Sequence, residues 1–266
     1  MNNLKRILGM GMLLAMLSLT GCGSDNTSED SDTTNTTVPS VNQASYIPGT
    51  TVYQFGYNSI PNIAITKAPS DTDWNRWAML HDGSDYRLYF FKEGTDDTIY
   101  QFAFNSSTAS YEFGYNSIPE MNITGAPADA DPSSFAMLHD GSFYRLYMRS
   151  KTSAAIHQFA FNSSTLDYEY GYNSIPKMDI TGAPADTDFD RWGMLHDGSF
   201  YRFYAFKGTL DNQMYQFAFN PATSDYEYGY NSILVLTLDQ IPADSDTSSF
   251  AMLHDGLAYR FYFLTM

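Results

Sequence analysis

The stretch Tyr57-Asn58-Ser59-Ile60-Pro61 returns at Tyr115-Asn116-Ser117-Ile118-Pro119 and at Tyr172-Asn173-Ser174-Ile175-Pro176. It returns once more, without its proline, at Tyr230-Asn231-Ser232-Ile233. From Tyr57 to Tyr115, Tyr172 and Tyr230 the steps are 58, 57 and 58 residues. A second phrase, Met-Leu-His-Asp-Gly, keeps the same step from Met79 to Met137, Met194 and Met252. A period of this size means that one supersecondary unit is copied and packed against itself. It also means that residues recur in fours through copying, so recurrence alone does not place a residue in a site.

Within a unit the pattern reads as strands. Ile99 to Asn105 alternates and is rich in strand formers, Ser106 to Ser110 is turn chemistry, and Tyr111 to Tyr115 is a second strand. A long polar loop around Ala126 to Pro132 leads to a third strand, Phe135 to His139. Asp140-Gly141 then signals a two-residue type I′ hairpin turn into a fourth strand, Phe143 to Tyr147. No window outside the N-terminus shows helical periodicity. The expected fold is all-β, four repeats of four antiparallel strands arranged as a four-bladed β-propeller. A β-sandwich or a solenoid of stacked hairpins is the alternative. The first copy begins with the strand Val52 to Tyr57, and the last reaches Met266 just after the Asp255-Gly256 hairpin. The first strand is therefore expected to complete the last blade and hide two sheet edges.

Tyr204-Ala205-Phe206-Lys207-Gly208 followed by Tyr215-Gln216-Phe217, and Tyr89-Phe90-Phe91-Lys92 followed by Tyr100-Gln101-Phe102, resemble the hemopexin repeat. The resemblance is architectural and covers residues from about 50 onward. It implies a four-bladed propeller that binds proteins or ions through its central channel and blade loops. Phe/Trp-Ala/Gly-Met-Leu-His replaces the family's Asp-Ala-Ala strand, and the family's disulfide between first and last blades cannot form here.

The N-terminus reads as an address. Lys5 and Arg6 precede an apolar run, Ile7 to Leu19, too short to span a membrane as a mature helix. Leu19-Thr20-Gly21-Cys22 resembles the lipobox of bacterial lipoproteins, and Cys22 is the only cysteine in the chain. The resemblance implies a signal peptide over residues 1–21, lipidation at Cys22 and a membrane partner through the acyl chains. Gly23 stands where an Asp would favour inner-membrane retention, so the outer membrane is expected. Residues 22–49 are dominated by Ser, Thr, Asn and Asp and read as a disordered tether, which leaves residues 50–266 as the folded domain.

The formal net charge is −16, which argues against nucleic acid as a partner. Aromatics are abundant, with 21 Tyr, 19 Phe and 3 Trp, enough to build a sheet core and still supply a contact surface. Trp74, Trp77 and Trp192, with Tyr86, Tyr144, Tyr201 and Tyr259, are the candidate ligand contacts. Four paired carboxylates recur in the long loops, Asp71 and Asp73, Asp129 and Asp131, Asp186 and Asp188, Asp244 and Asp246. Such pairs can ligate Ca²⁺, although the glycine and distal glutamate of a full calcium loop are absent, and turn stabilisation by Asp is the common alternative. No cofactor is required by any motif, and Ca²⁺ is the one the pattern admits. His81, His139, His196 and His254 form a second recurrent set, suited either to a metal on the axis or to bonds within their turns. Arg87, Arg145, Arg202 and Arg260 stand mid-strand, placed to pair with the turn aspartates. The copies alternate, Trp with Arg in units one and three, Ser-Ser-Phe in units two and four, which points to two-fold pairing of blades.

No nucleophile elbow, zinc motif or phosphate loop is present. The leading expectation is a non-enzymatic outer-membrane lipoprotein that recognises a glycan or a protein. A structural role in the envelope is second, and a glycosidase using loop carboxylates is third.

Overall fold

The computed structural model describes residues 38–266 as twenty strands with no helix among them. Cys22, the leader and the first part of the expected tether lie outside the described residues.

Blade A has three full antiparallel strands, β4 (Thr72–His81), β5 (Tyr86–Lys92) and β6 (Thr98–Asn105). Its fourth position is shared. β7 (Ser110–Phe113) pairs with the C-terminal half of β6, and β8 (Glu120–Thr124) pairs with the N-terminal half. The recurrent Tyr115 to Pro119 stretch is the loop that steps between them. That step needs two left-handed residues, Gly114 at φ 77° and Asn116 at φ 42°. Glycine and asparagine are the residues that tolerate this backbone, which explains their return in every copy. Blade B repeats the plan with β9 (Ala130–His139), β10 (Tyr144–Ser150), β11 (Ala155–Asn162), β12 (Asp167–Tyr170) and β13 (Lys177–Thr181). Blade C uses β14 (Thr187–His196), β15 (Tyr201–Lys207), β16 (Leu210–Asn220), β17 (Asp225–Tyr228) and β18 (Val235–Asp239).

Blade D joins the two ends of the chain. β19 (Asp246–His254) and β20 (Tyr259–Thr265) are followed in space by β1 (Ser40–Tyr46), β2 (Val52–Phe55) and β3 (Ile63–Thr66). The β1–β20 ladder runs from Ser40 opposite Thr265 to Ser45 opposite Arg260. Closure by the N-terminal segment is as expected, but it takes three strands rather than one. The tether boundary at residue 49 is corrected accordingly. Ser40 to Ser45 is buried strand, because Val41 and Ala44 fill the core while Asn42 and Gln43 find hydrogen-bond partners in Thr265 and Tyr262. Polar composition hid a strand whose polar side chains are satisfied by the blade it completes.

Neighbouring blades are also stitched at the circumference by short parallel pairings, β3 with β7, β8 with β12, β13 with β17 and β18 with β2. All twenty strands thus belong to one closed sheet. The hairpins at His-Asp-Gly are a further correction. His81 pairs with Tyr86 across a four-residue loop rather than a two-residue type I′ turn. Asp82 Oδ1 accepts hydrogen bonds from the Ser84 and Asp85 amides, an Asx arrangement that holds the longer loop.

Four hydrophobic clusters lie at the four blade interfaces. Each fully buried Phe or Tyr there contributes about 2–3 kcal/mol through apolar burial. The innermost strands β4, β9, β14 and β19 close the axis with alanine, methionine and phenylalanine, and no space for a water molecule remains between them. Gly193 stands where the other blades carry Ala78, Ala136 and Ala251, because a Cβ there would lie 2.8 Å from the Phe250 ring. The alternation of copies is visible in the packing. Trp77 Nε1 of blade A donates to Ser249 Oγ of blade D at 2.7 Å, and Trp192 Nε1 of blade C donates to Ser134 Oγ of blade B at 2.8 Å.

Candidate functional site

The space in this ring lies between the blades. Four equivalent clefts of about 450, 460, 470 and 360 Å³ open at the A/B, B/C, C/D and D/A interfaces. These volumes fall in the range of small-molecule sites. The A/B cleft takes Arg87, Gln101, Asn116, Ser117, Ile118 and Met121 from blade A, and Tyr144, Phe161 and Tyr168 from blade B. Its counterparts carry Arg145, Gln158 and Asn173 opposite Tyr201 and Phe219, Arg202, Gln216 and Asn231 opposite Tyr259 and Tyr46, and Arg260, Gln43 and Asn58 opposite Tyr86 and Phe104.

The His-Asp-Gly turn positions the guanidinium. Arg87 Nε donates to Asp82 Oδ2 at 2.8 Å, and Arg87 Nη1 donates to the carbonyl of Asn116, which the left-handed backbone at that residue turns toward the cleft. The other three copies repeat both bonds, to Asp140 and Asn173, Asp197 and Asn231, Asp255 and Asn58. The same carboxylates receive a hydroxyl from the next blade. Tyr144 donates to Asp82, Tyr201 to Asp140 and Tyr86 to Asp255, at 3.0–3.1 Å. Arg–Asp–Tyr units therefore cross the A/B, B/C and D/A interfaces and tie the arginine wall of each of those clefts to the tyrosine of the facing one. Burial and the adjoining carboxylate push the Tyr86 and Tyr201 hydroxyls up to about 12. These tyrosines stay neutral and offer ring faces rather than general-base chemistry.

The floor is a buried amide and phenol pair. Gln101 Nε2 donates to Tyr89 Oη at 2.7 Å, while Gln101 Oε1 accepts from the Ile118 amide at 2.9 Å. Gln43, Gln158 and Gln216 do the same for their blades. An outer-strand tyrosine of the next blade, Tyr168 in the A/B cleft, adds a second hydroxyl to this floor. The opposite wall is aromatic, with Tyr144 and Phe161 edge to face at 6.0 Å. Each cleft thus sets aromatic faces against a row of hydrogen-bonding groups.

Of the residues expected from sequence, Tyr86, Tyr144, Tyr201 and Tyr259 each line a cleft. The tryptophans do not. Trp77 and Trp192 are buried, and Trp74 packs edge to face on Phe90 at 4.9 Å. Their area goes into the core because each indole bridges or backs an inner strand. The Asp-x-Asp pairs are spent on their own loops. Asp71 and Asp186 accept the Tyr100 and Tyr215 hydroxyls, Asp73 and Asp188 hold Arg76 and Arg191, and Asp131 and Asp246 cap amides two residues on. Asp129 accepts from Ser150 and faces His157 and Lys177, and these contacts hold its carboxyl down to about 2. Among the described residues no three His, Cys, Asp or Glu side chains are placed to share a metal ion. The four recurrent histidines lie against their own blade's tyrosine, ring centroids 4.6–4.7 Å apart. Burial lowers His81 and His196, which keeps them neutral near pH 7.

Sequence reasoning read the arginines as links between turn and blade, which they are, but missed their place in a cleft. It also missed the glutamines. The signal was present in the recurrent Gln-Phe-Ala-Phe-Asn phrase, whose Gln points opposite to the core phenylalanines.

No protein-family model matches the chain, and no curated protein matches it in sequence. Among solved structures, AofleA from Arthrobotrys oligospora is similar at 11% identity and a TM-score of 0.31, over 70% of this chain and 48% of that one. A candidate 6-phosphogluconolactonase from Bacteroides fragilis NCTC 9343 is similar at 15% identity and a TM-score of 0.30, over 71% of this chain and 50% of that one. The chain spans about half the length of either.

Proposed function

We propose that this protein is a non-enzymatic saccharide-binding propeller, held at the outer membrane by lipid on Cys22, with its ligand sites in the clefts between blades. The observation that carries the reading is the repetition of one cleft, aromatic on one wall and hydrogen-bonding on the other, around an axis that is filled. A sugar ring presents just these two faces, a C–H surface that stacks on aromatics and hydroxyls that both donate and accept. Repetition adds avidity for a ligand that recurs on a surface. The clefts do not hold a pair of free carboxylates, since the turn aspartates are bound by arginine and tyrosine, so the glycosidase reading has less support.

A protein ligand is the second reading, supported by the exposed Ile60 and Ile175 at the lips of the D/A and B/C clefts. A glycan array probed with the mature chain separates the two. The expected outcome is retention of a defined saccharide set, reduced in the Phe161→Ala and Phe219→Ala variants. No retention on the array, with capture by an envelope protein in a pull-down, would replace this reading by the second.

A further inference from the structure

Three of the four clefts leave the same two donors without an acceptor, and the fourth shows what belongs there. In the A/B cleft the Asp85 carboxylate accepts from Asn116 Nδ2 at 2.9 Å and from Arg87 Nη2 at 3.2 Å. One carboxylate oxygen therefore bridges the guanidinium and the amide of the recurrent Asn-Ser-Ile loop. The other copies carry Phe143, Phe200 and Ala258 at this position. Their arginines are held by the same Nε and Nη1 bonds. Phe143 and Phe200 lie over the guanidinium planes at 4.7 Å, which steadies them without using an N–H. Among the described residues, Nη2 of Arg145, Arg202 and Arg260 and Nδ2 of Asn173, Asn231 and Asn58 have no hydrogen-bond partner.

We propose that the B/C, C/D and D/A clefts each receive a carboxylate of an acidic saccharide on this arginine and asparagine pair, and that Asp85 fills the A/B position from within. The inference rests on the saccharide reading above and names the sugar class. A guanidinium and an amide converging on one oxygen form the charge-assisted arrangement that favours a carboxylate over a neutral hydroxyl. The strongly negative chain disfavours a densely charged polyanion, so the ligand carries isolated carboxylates, as in a chain with a uronic acid at its end.

The test is calorimetric titration of the mature protein with a glucuronate-terminated oligosaccharide and with its neutral glucose-terminated counterpart. The acidic ligand is expected to bind about tenfold to a hundredfold more tightly, the worth of one charge-assisted bond, at three equivalents per chain. Ala258→Asp plants the internal carboxylate in the D/A cleft and is expected to lower the stoichiometry to two. Asp85→Ala is expected to raise it to four. Both positions are in turns, and an unchanged thermal melt shows that each variant is folded. Equal binding of the neutral sugar, or three equivalents retained in Ala258→Asp, would overturn the carboxylate assignment and leave the saccharide reading in place. Binding of neither sugar, with other array glycans retained, overturns the assignment alone. Binding of no saccharide removes both readings.

Discussion

Replacing Asp255 by Asn tests the Arg–Asp–Tyr units that hold the clefts. The Asp255 side chain is only 3% exposed and accepts from Arg260 Nε at 2.8 Å, the Leu257 and Ala258 amides at 2.9 and 2.7 Å, and the Tyr86 hydroxyl at 3.0 Å. An amide keeps one oxygen for the two backbone donors. Its nitrogen then faces Arg260 Nε, a donor left with nothing to accept it, while the Tyr86 hydroxyl must turn from donor to acceptor. Breaking one partner of a buried pair costs about 3–5 kcal/mol, and partial solvent access to the arginine brings our expectation to about 2–4 kcal/mol. For a chain of this size that is a fall in melting temperature of about 4–16 °C.

The pH dependence follows from the same bonds. They hold the Asp255 carboxyl down to about 2, below its usual value near 3.8, so its folded pKa is depressed. A depressed carboxylate contributes stability above the unfolded pKa and loses it as pH falls through the folded one. The wild-type advantage should therefore be full at pH 6 and shrink between about pH 4 and pH 2. Urea unfolding of wild type and variant at pH 7 and pH 3 measures both effects. A difference below about 0.5 kcal/mol at pH 7, or one that grows on acidification, would refute this account of the turn aspartates.

Three further outcomes are expected. Deleting residues 38–47 removes β1 and uncovers the edge of β20, so the truncated chain should lose cooperative unfolding, and a thermal transition matching the intact protein would contradict ring closure. Changing Asp129 and Asp131 to Asn keeps an acceptor for Ser150 and the Ser133 amide but removes the carboxylate charge facing Lys177 and Arg149, so the melting temperature should fall slightly and equally with EGTA and with millimolar Ca²⁺, whereas a Ca²⁺-dependent difference would restore these loops as metal sites. Cys22→Ser should abolish palmitate labelling and release the protein from membranes; persistent labelling would remove the lipid anchor from the account.

The all-β class and closure by the N-terminal segment were legible because period-2 patterns and turn residues act locally, and four copies repeat each signal; the division of each outer position between two short strands was not, because it depends on how β7 and β8 share the edge of β6. The fate of Ser40 to Ser45 was not, since a polar strand is recognisable only with the partners that satisfy Asn42 and Gln43. The tyrosines after each turn could be picked out as contact residues from their spacing. Tyr100 and Tyr215 could not be told apart from them, although they are tied to loop aspartates. The tryptophans misled because a large aromatic serves a core and a binding surface equally well, and only packing against Ser134 and Ser249 decides between them. The clefts themselves are made by residues about 60 positions apart, such as Arg87 and Tyr144, whose proximity depends on how one blade meets the next.

The central claim is that ligand enters between the blades, and NMR titration of the mature protein with a saccharide identified on the array tests it most directly. The account predicts shifts for Gln101, Gln158, Gln216 and Gln43 side-chain amides and for the arginine Nε–H groups of the clefts, with the axial methionines Met79, Met137, Met194 and Met252 unmoved. Shifts confined to the axial methionines and the recurrent histidines, with the cleft glutamines silent, would contradict it.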